Sequence, residues 1–172
     1  VSSCGTMTPA FIDPSAEVSV AAVVGEGSCI WNWTKVRELA RIGSGTSIGQ
    51  HCYIDRGVVI GERCKIQNSV NIYDGVTIGE EVFIGPSVTF TNDLYPSAVG
   101  EWLVVPTFVE RGVSIGANST IVCGVTIGEY SVVGAGSVVV KNVPAATLVV
   151  GSPARVIRQL KNKNDLNQRG EL

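Results

Sequence analysis

The side chains of this sequence that are best suited to chemistry are one histidine and a recurring set of amides. His51 is the only histidine, and its ordinary pKa near neutrality makes it the natural candidate for a general base. Amide side chains recur every eighteen residues, at Asn32, Gln50 and Asn68. An amide donates and accepts hydrogen bonds but cannot remove a proton near neutral pH. Such a series either holds the corners of a repeating structure together by side-chain hydrogen bonds or binds a ligand. His51 is the candidate for proton transfer.

Metal chemistry has little support in the residue types. A zinc site of the three-histidine kind needs more histidines than this chain has, and the five cysteines show no Cys-x-x-Cys spacing. Cys52 and Cys64 fall where small buried residues are expected. We therefore interpret the cysteines as reduced core residues of a protein from a reducing compartment, and the sequence predicts no metal site.

A six-residue repeat must position these side chains. From residue 12 to residue 90 every sixth residue is aliphatic or aromatic, and a small or short-branched residue follows four places later. A period of six matches neither the 3.6-residue period of a helix nor the two-residue alternation of an ordinary strand. It is typical of a parallel β-helix, in which short strands alternate with tight corners and each coil buries its inward row against the next coil. Glycine often follows the aliphatic residue, as at Gly43 and Gly49, where packing or a bend is tight.

The repeat divides the chain into the parts of one domain. Residues 1–11 are an N-terminal lead, residues 12–90 and 109–144 are β-helix coils, residues 91–108 are an inserted loop rich in proline and aromatic residues, and residues 145–172 are the C-terminal exit. Insertions in repeat proteins tend to cluster on the binding face. The loop is therefore a candidate part of the site.

The C-terminal exit begins after Pro144, where the six-residue rhythm ends. We predict a short helix over residues 153–160 and a frayed polar tail over residues 161–172.

The composition limits the classes of function. Of the 172 residues 45% are hydrophobic and 16% are charged, which is ample for a packed core and too sparing of charge for a disordered chain. The formal net charge of -2 gives no electrostatic reason to expect nucleic acid or a membrane surface as a partner. No apolar run approaches the length of a membrane span, and residues 1–11 lack the features of a secretory signal.

The repeat sequences resemble a known family. Residues 42–47, 78–83 and 127–132 are similar to the repeats of the hexapeptide-repeat acyltransferases. This resemblance implies an all-β fold, a left-handed parallel β-helix in which three hexapeptides make one triangular coil of eighteen residues. Side chains eighteen positions apart would then stack at the strand spacing of about 4.8 Å.

Four longer runs resemble one branch of that family, the N-acetyltransferases acting on the 3-amino group of nucleotide-linked sugars. They are residues 66–76, 83–92, 115–130 and 149–151. The branch implies acetyl-CoA as donor, a UDP- or dTDP-linked amino sugar as acceptor, and a homotrimer with active sites between neighbouring subunits. It also implies a cytoplasmic enzyme of surface polysaccharide, lipopolysaccharide or O-antigen biosynthesis.

The resemblance also implies roles for individual residues. Asn68 would position the sugar amine. The other candidate substrate-binding residues are Asn32, Gln67, Tyr73, Asp74 and Asn92. Small residues that would admit the pantetheine arm of acetyl-CoA are Gly116, Gly134, Ala135 and Gly136, and cations that would meet its phosphates are Lys141, Arg155 and Arg158.

The identity of the base stays open at this point. The amino-sugar branch commonly has a histidine after Ile-Trp, where this chain has Asn32 after Trp31. His51 is then either the base or an exposed corner residue stacked on Trp33. If it is not the base, the amine loses its proton to the departing thiolate or to water.

Three other functions are alternatives to this one. A γ-class carbonic anhydrase shares the fold but needs three histidines, and one histidine excludes it. An O-acetyltransferase acting on a sugar or serine hydroxyl is the main enzymatic alternative, although a hydroxyl needs a base more than an amine does. A non-catalytic β-helix subunit of a larger assembly would explain the missing histidine but not the inserted loop.

Overall fold

The computed structural model describes residues 8–161, and every regular element in that range is a β-strand. The strands form three sheets, called A, B and C here, around one core. Sheet A contains β1 (Phe11–Ile12), β4 (Cys29–Ile30), β7 (Ser47–Ile48), β10 (Lys65–Ile66), β13 (Phe83–Ile84), β16 (Ser114–Ile115), β19 (Val132–Val133), β21 (Thr147–Gly151) and β22 (Ala154–Gln159). Sheet B contains β2 (Glu17–Val18), β5 (Lys35–Val36), β8 (Tyr53–Ile54), β11 (Asn71–Ile72), β14 (Thr89–Phe90), β17 (Thr120–Ile121) and β20 (Val138–Val139). Sheet C contains β3 (Val23–Val24), β6 (Arg41–Ile42), β9 (Val59–Ile60), β12 (Val76–Ile78), β15 (Thr107–Val109) and β18 (Thr126–Ile127).

The predicted left-handed parallel β-helix of hexapeptide repeats is confirmed, with about eight coils. Before the inserted loop, each strand pairs in parallel with the strand eighteen residues away, so that Ile48 lies between Ile30 and Ile66. The aliphatic residue of each hexapeptide points inward because the side chains of a strand alternate between its two faces. The fully buried inward row comprises Ile30, Ile48, Ile54, Ile60, Ile66, Ile72, Ile78, Ile84, Phe90, Ile115, Ile121 and Ile127.

Glycine after the inward residue is required by the close approach of adjacent coils. A Cβ atom on Gly43 would lie 2.5 Å from the carbonyl carbon of Gly61, and one on Gly61 would lie 2.6 Å from the backbone nitrogen of Glu80. Both distances are far shorter than a van der Waals contact. At these corners the backbones of successive coils therefore stack directly on one another.

The third residue of many corners has a left-handed backbone conformation. Trp33, His51, Ser69 and Ser87 follow one another at eighteen-residue intervals with φ values of 53°, 56°, 59° and 59°. Such a conformation is unusual for residues other than glycine, asparagine and aspartate. The stacking of coils holds it in place. The backbone N–H groups of His51, Ser69 and Ser87 donate to carbonyls of the coil below, and that of Trp33 donates to the hydroxyl of Ser15.

The inserted loop lies between β14 and β15. Residues 91–106 contain no strand, and β15 begins at Thr107, two positions before the repeat resumes in the sequence. The backbone N–H of Val105 donates to the carbonyl of Asn92 at 2.8 Å, which brings the two ends of the loop together. The side chains between these ends are mostly exposed.

The C-terminal exit differs from its prediction in two ways. Sheet A continues past Pro144, because β21 pairs in parallel with β19. The helix predicted over residues 153–160 is wrong: residues 154–159 form β22, antiparallel to β21. β21 leaves a free sheet edge whose backbone groups need partners, and the β-branched Val156 and Ile157 favour a strand there. Of the predicted tail, residues 162–172 lie outside the described residues.

The cysteine interpretation holds only in part. Cys52, Cys64 and Cys123 are buried and free, and burial raises the pKa of the Cys52 thiol to about 11. Cys29 is instead disulfide-bonded. It differs from Cys52 and Cys64 because it occupies the outward position of β4 rather than the small inward position.

Candidate functional site

The amide residues lie on one edge of the triangular β-helix, where each strand of sheet A turns into the next strand of sheet B. We call this the A/B edge. In successive coils its second corner residue is Asn32, Gln50, Asn68, Pro86, Ala117 and Ala135. Backbone bonds between coils, such as those from His51 N to Asn32 O and from Ser69 N to Gln50 O, keep this column in register.

A groove of about 310 Å³ opens at the amide-bearing part of this edge. We call it the amide groove. It is lined by Trp31, Asn32, Ser47, Gly49, Gln50, Ile66, Gln67 and Asn68. The structure therefore brings together three of the predicted site residues, Asn32, Gln67 and Asn68, through the stacking of three consecutive coils.

Trp31 and Ser47 also line the groove, although the sequence did not single them out. Gln50 lines it too; the sequence placed it in the amide series but not among the candidate substrate-binding residues. Trp31 is partly exposed, and its indole Nε1–H donates to the hydroxyl of Ser47 at 3.3 Å. The eighteen-residue interval could have identified Gln50, since it falls between Asn32 and Asn68. No sequence signal marked Trp31 or Ser47, because their place in the groove depends on the corner geometry.

The side chain of Asn68 is held by the coil below it. Its amide oxygen Oδ1 accepts a hydrogen bond from the backbone N–H of Gln50 at 3.1 Å. The side chain lies over Gly49, where a Cβ atom would overlap that oxygen. Gly49 is thus needed to let Asn68 fold down onto the corner. This contact also determines which way the amide of Asn68 faces, because only its oxygen, and not its NH₂ group, can accept a hydrogen bond from an N–H group.

His51 lies beside the amide groove and does not line it. Its ring stacks on the ring of Trp33, with centroids 4.8 Å apart and an angle of 23° between the planes. Both rings belong to exposed corner residues. This is the stacked arrangement that the eighteen-residue spacing allowed. Of the two roles that the sequence left open for His51, the contacts agree with the stacked corner residue, and the choice between the two roles is tested by substitution below.

The remaining candidate substrate residues lie on a different edge, between sheets B and C, which we call the B/C edge. Tyr73 packs its ring 5.6 Å from that of Tyr53, and the carboxylate of Asp74 lies 3.2 Å from the Nε of Arg56. Asn92 is buried at the start of the loop, and its Nδ2 has no hydrogen-bond partner among residues 8–161. Within one chain these residues do not meet the amide groove.

A buried carboxylate organises the B/C edge. Asp55 is 7% exposed and accepts hydrogen bonds from the backbone N–H of Arg56 at 2.8 Å and from the hydroxyl of Tyr53 at 3.2 Å. Arg37 lies 3.4 Å from it. Hydrogen bonding to Glu38 and then to Tyr53 raises the pKa of the Arg37 guanidinium, which stays charged. Tyr73 and Asp74 contact members of this network, so their positions are held within the chain without a bound ligand.

The small residues predicted to admit acetyl-CoA lie on the A/B edge, on the C-terminal side of the amide groove. A Cβ atom on Gly116 would overlap the backbone of Ala135, and one on Gly134 would lie 2.8 Å from the Cγ2 of Val150. Coil stacking alone explains these two glycines. Gly136 has open space where a Cβ would be, and Ala135 is exposed beside it, so these two leave room for a ligand.

The three predicted phosphate contacts are all exposed, but they lie in different places. Arg155 in β22 pairs in register with Val150, the residue that packs on Gly134, and so it lies near the A/B edge. Arg158 lies farther along β22, opposite Leu148. Lys141 follows β20 and therefore lies on the B/C edge. One chain does not gather these cations into a single cluster.

Two further observations concern the described part of the chain as a whole. No group of three or more His, Cys, Asp or Glu side chains there is placed to hold a metal ion. None of its elements is a helix of the length and apolarity needed to cross a membrane.

Comparison with known proteins identifies relatives of this chain. The family profile described as bacterial transferase hexapeptide (six repeats) matches residues 57–92 and 106–141. The crystal structure of a hexapeptide-repeat containing acetyltransferase from Vibrio cholerae is 36% identical, has a TM-score of 0.58, and matches over 81% of this chain and 74% of that chain. The Vibrio cholerae protein has also been solved in complex with acetyl coenzyme A.

Two curated relatives match over shorter stretches. Over 50 residues the chain is 58% identical to dTDP-3-amino-3,6-dideoxy-alpha-D-galactopyranose 3-N-acetyltransferase from Aneurinibacillus thermoaerophilus, which is 29% of this chain and 26% of the relative. Over 88 residues it is 38% identical to galactoside O-acetyltransferase from Escherichia coli (strain K12), which is 48% of this chain and 43% of the relative. Each match spans less than half the length of the relative.

Proposed function

Since this chain belongs to the bacterial transferase hexapeptide family, we propose that it transfers an acetyl group from acetyl-CoA to the amino group of a nucleotide-linked sugar. The acceptor carries UDP or dTDP, and its amine is at the 3-position. The narrower choice of acceptor is supported by the 58% identity to a dTDP-3-amino-sugar N-acetyltransferase, which covers 50 residues.

The observation that carries this proposal is the division of the A/B edge into two parts. The amide groove offers hydrogen-bonding side chains of the kind that recognise sugar hydroxyl and amino groups. Toward the C-terminus the same edge carries Pro86, Ala117 and Ala135 and the open position at Gly136. A flexible chain such as pantetheine can lie along a surface without bulky side chains. One edge therefore offers a path for the donor that ends at a pocket for the acceptor.

The reaction on this surface needs position more than acid or base groups. The amine nitrogen attacks the carbonyl carbon of the thioester, the C–S bond breaks, and CoA leaves as its thiolate. The proton that the nitrogen loses passes to that thiolate or to water. Holding the two reactants in contact lowers the activation free energy by a large amount, and the amides of the groove supply that positioning.

We further propose a homotrimer with active sites between subunits. The candidate substrate residues lie on two edges of one chain, so Tyr73, Asp74 and Asn92 can reach the amide groove only from a neighbouring copy. The loop also exposes large apolar side chains of the kind that interfaces bury. They are Leu94, Tyr95, Val99, Trp102 and Leu103.

We propose that the product enters surface polysaccharide, including lipopolysaccharide or O-antigen, and that the enzyme acts in the cytoplasm. The support is the activated nucleotide sugar named for the relative from Aneurinibacillus thermoaerophilus. The free thiols of Cys52, Cys64 and Cys123 agree with a reducing compartment. The disulfide at Cys29 counts against it.

The second candidate function is O-acetylation, which the match to galactoside O-acetyltransferase favours. A hydroxyl nucleophile requires a base in the transition state. His51, the chain's only histidine, does not line the amide groove. The amine acceptor therefore fits the groove better than a hydroxyl acceptor does.

The test is thiol release from acetyl-CoA with a panel of acceptors. The panel contains UDP- and dTDP-linked 3-amino and 4-amino sugars, plain galactosides and serine. We expect release with a nucleotide-linked amino sugar and none with the galactosides. Release with hydroxyl acceptors only would move the protein to the O-acetyltransferases. No release with any acceptor, together with failure to bind acetyl-CoA, would favour a structural role.

A further inference from the structure

The amide of Asn68 has a fixed polarity. Its oxygen is engaged by the backbone N–H of Gln50, whereas its Nδ2 group has no hydrogen-bond partner among residues 8–161. Asn68 is exposed and lines the amide groove. It therefore presents two N–H donors to a ligand, while one of the two lone pairs of its oxygen is already engaged by the corner. This polarity suits an electron-rich ligand atom better than an attacking amine, whose N–H groups need an acceptor. The amine-positioning role that the resemblance implied for Asn68 stays a prediction.

The place of Asn68 on the A/B edge indicates which ligand atom it meets. It is the last amide of the column in the C-terminal direction. Above it come Pro86, Ala117 and Ala135, which offer no side-chain donor. Ala135 is three coils away, which is about 14 Å at the usual strand spacing. For an extended donor that lies along this small-residue surface, Asn68 is the first side chain of the column able to donate a hydrogen bond to its reactive end.

We propose that Asn68 donates a hydrogen bond from Nδ2 to the carbonyl oxygen of the acyl group and stabilises the negative charge that this oxygen acquires. This inference rests on the proposed acyl transfer. When the amine attacks, the carbonyl π electrons move onto the oxygen. When the C–S bond breaks they return, and the thiolate departs. A donor fixed in advance at that oxygen lowers the barrier without reorganisation during the reaction.

The backbone of the groove explains why the donor is preorganised. Gly49 lets the Asn68 side chain lie flat on the lower coil, and the Gln50 N–H holds the amide oxygen. Rotation of the amide by half a turn would place an NH₂ group against an N–H group. The corner therefore selects the orientation with Nδ2 outward. Because the side chain is already oriented, no free energy is needed to orient it when the substrates bind.

The test compares two substitutions at one position by steady-state kinetics. Asn68→Asp keeps an oxygen for the Gln50 N–H but replaces the donor with a carboxylate oxygen. Asn68→Ala removes both groups. We expect both variants to lower kcat by about a hundredfold, the usual effect of losing one such donor, while KM for the two substrates changes by less than about threefold.

The matched control is Asn142→Asp. The Oδ1 of Asn142 also accepts a hydrogen bond from a backbone N–H, that of Thr126, at 2.9 Å. Asn142 follows β20 and therefore lies on the B/C edge, away from the amide groove. We expect this variant to keep wild-type kinetics and thermal stability. Thermal unfolding of all three variants separates a catalytic loss from a folding defect, because Asn68→Asp keeps the bond between coils.

Three outcomes would each overturn the donor role. Wild-type kcat in Asn68→Asp would show that no donor is needed. A loss in Asn68→Asp with normal kcat in Asn68→Ala would identify charge repulsion as the cause. A rise in KM for the sugar with normal kcat would place Asn68 in acceptor binding. If the wild type acetylates only hydroxyl acceptors, the amine acceptor fails and the donor role is tested with those acceptors; if it releases no thiol at all, both fail.

Discussion

Asn68 and His51 occupy neighbouring positions of the A/B edge, yet their side chains are held by different contacts. Asn68 is turned inward to the groove by a backbone hydrogen bond. His51 is turned onto the face of Trp33 by ring stacking. The residue with the more familiar acid–base chemistry therefore lies outside the groove, and the residue inside it can only donate or accept hydrogen bonds. These positions of Asn68 and His51 agree with a reaction in which the attacking amine loses its proton to the leaving thiolate.

The role of His51 is tested by the substitution His51→Asn. Asparagine tolerates the left-handed backbone of this corner, where φ is 56°, so the fold is expected to survive. We expect kcat to fall by less than about threefold and its pH profile to stay unchanged. A general base contributes at least about tenfold, or about 1.4 kcal/mol of barrier. A loss of that size with an altered pH profile would make His51 the base.

At the scale of elements, the corners set the geometry of the site. Three successive coils contribute the amides of the groove, and the amides meet because the corners of these coils stack with glycine at the tightest contact. The strands themselves are only two or three residues long through most of the β-helix. Their backbone hydrogen bonds run between coils, so the position of any corner residue depends on the coils next to it.

Gly43→Ala tests this close stacking. The new Cβ would lie 2.5 Å from the carbonyl carbon of Gly61, and the coils would have to separate. Overpacking of this kind usually costs about 1–3 kcal/mol of unfolding free energy. We expect a lowered denaturant midpoint by circular dichroism. Ser44→Ala, an exposed position in the same corner, should unfold as the wild type does, and equal midpoints for the two variants would contradict the stacking explanation.

The sequence predicted the strands well because the aliphatic residue of each hexapeptide marks the position of a strand without reference to the rest of the chain. Ile48, Ile54 and Ile60 lie in two-residue strands at the positions expected. The exit was mispredicted because the strand over residues 154–159 depends on the free edge of β21, a tertiary feature. The interval of eighteen residues brought the amides together correctly. The polarity of Asn68 could not be predicted, since it depends on the Gln50 N–H one coil below.

At the scale of the whole molecule, the predicted site is divided between two edges of one β-helix. The amide groove is on the A/B edge, and Tyr73, Asp74 and Asn92 are on the B/C edge. The inserted loop starts from the B/C edge and carries exposed apolar side chains. A neighbouring copy that placed its loop beside the amide groove would unite the two groups and bury those side chains.

Trp102→Ser tests this assembly. Trp102 is 64% exposed in one chain, and its burial between subunits would stabilise the association. We expect the wild type to sediment at three times the chain mass and Trp102→Ser to dissociate at higher protein concentration. Val20→Ser is the control, because Val20 is fully exposed on an N-terminal corner away from the loop. A monomeric wild type, or equal association of the two variants, would contradict the proposed trimer.

The most direct measurement is a crystal structure of the protein with CoA and a dTDP-linked 3-amino sugar bound. We expect the pantetheine arm along the A/B edge beside Ala117 and Ala135, its sulfur at the level of Asn68, and the amino nitrogen in the amide groove. A pantetheine arm on the B/C edge, or a sugar bound away from the amide groove, would contradict the proposed site.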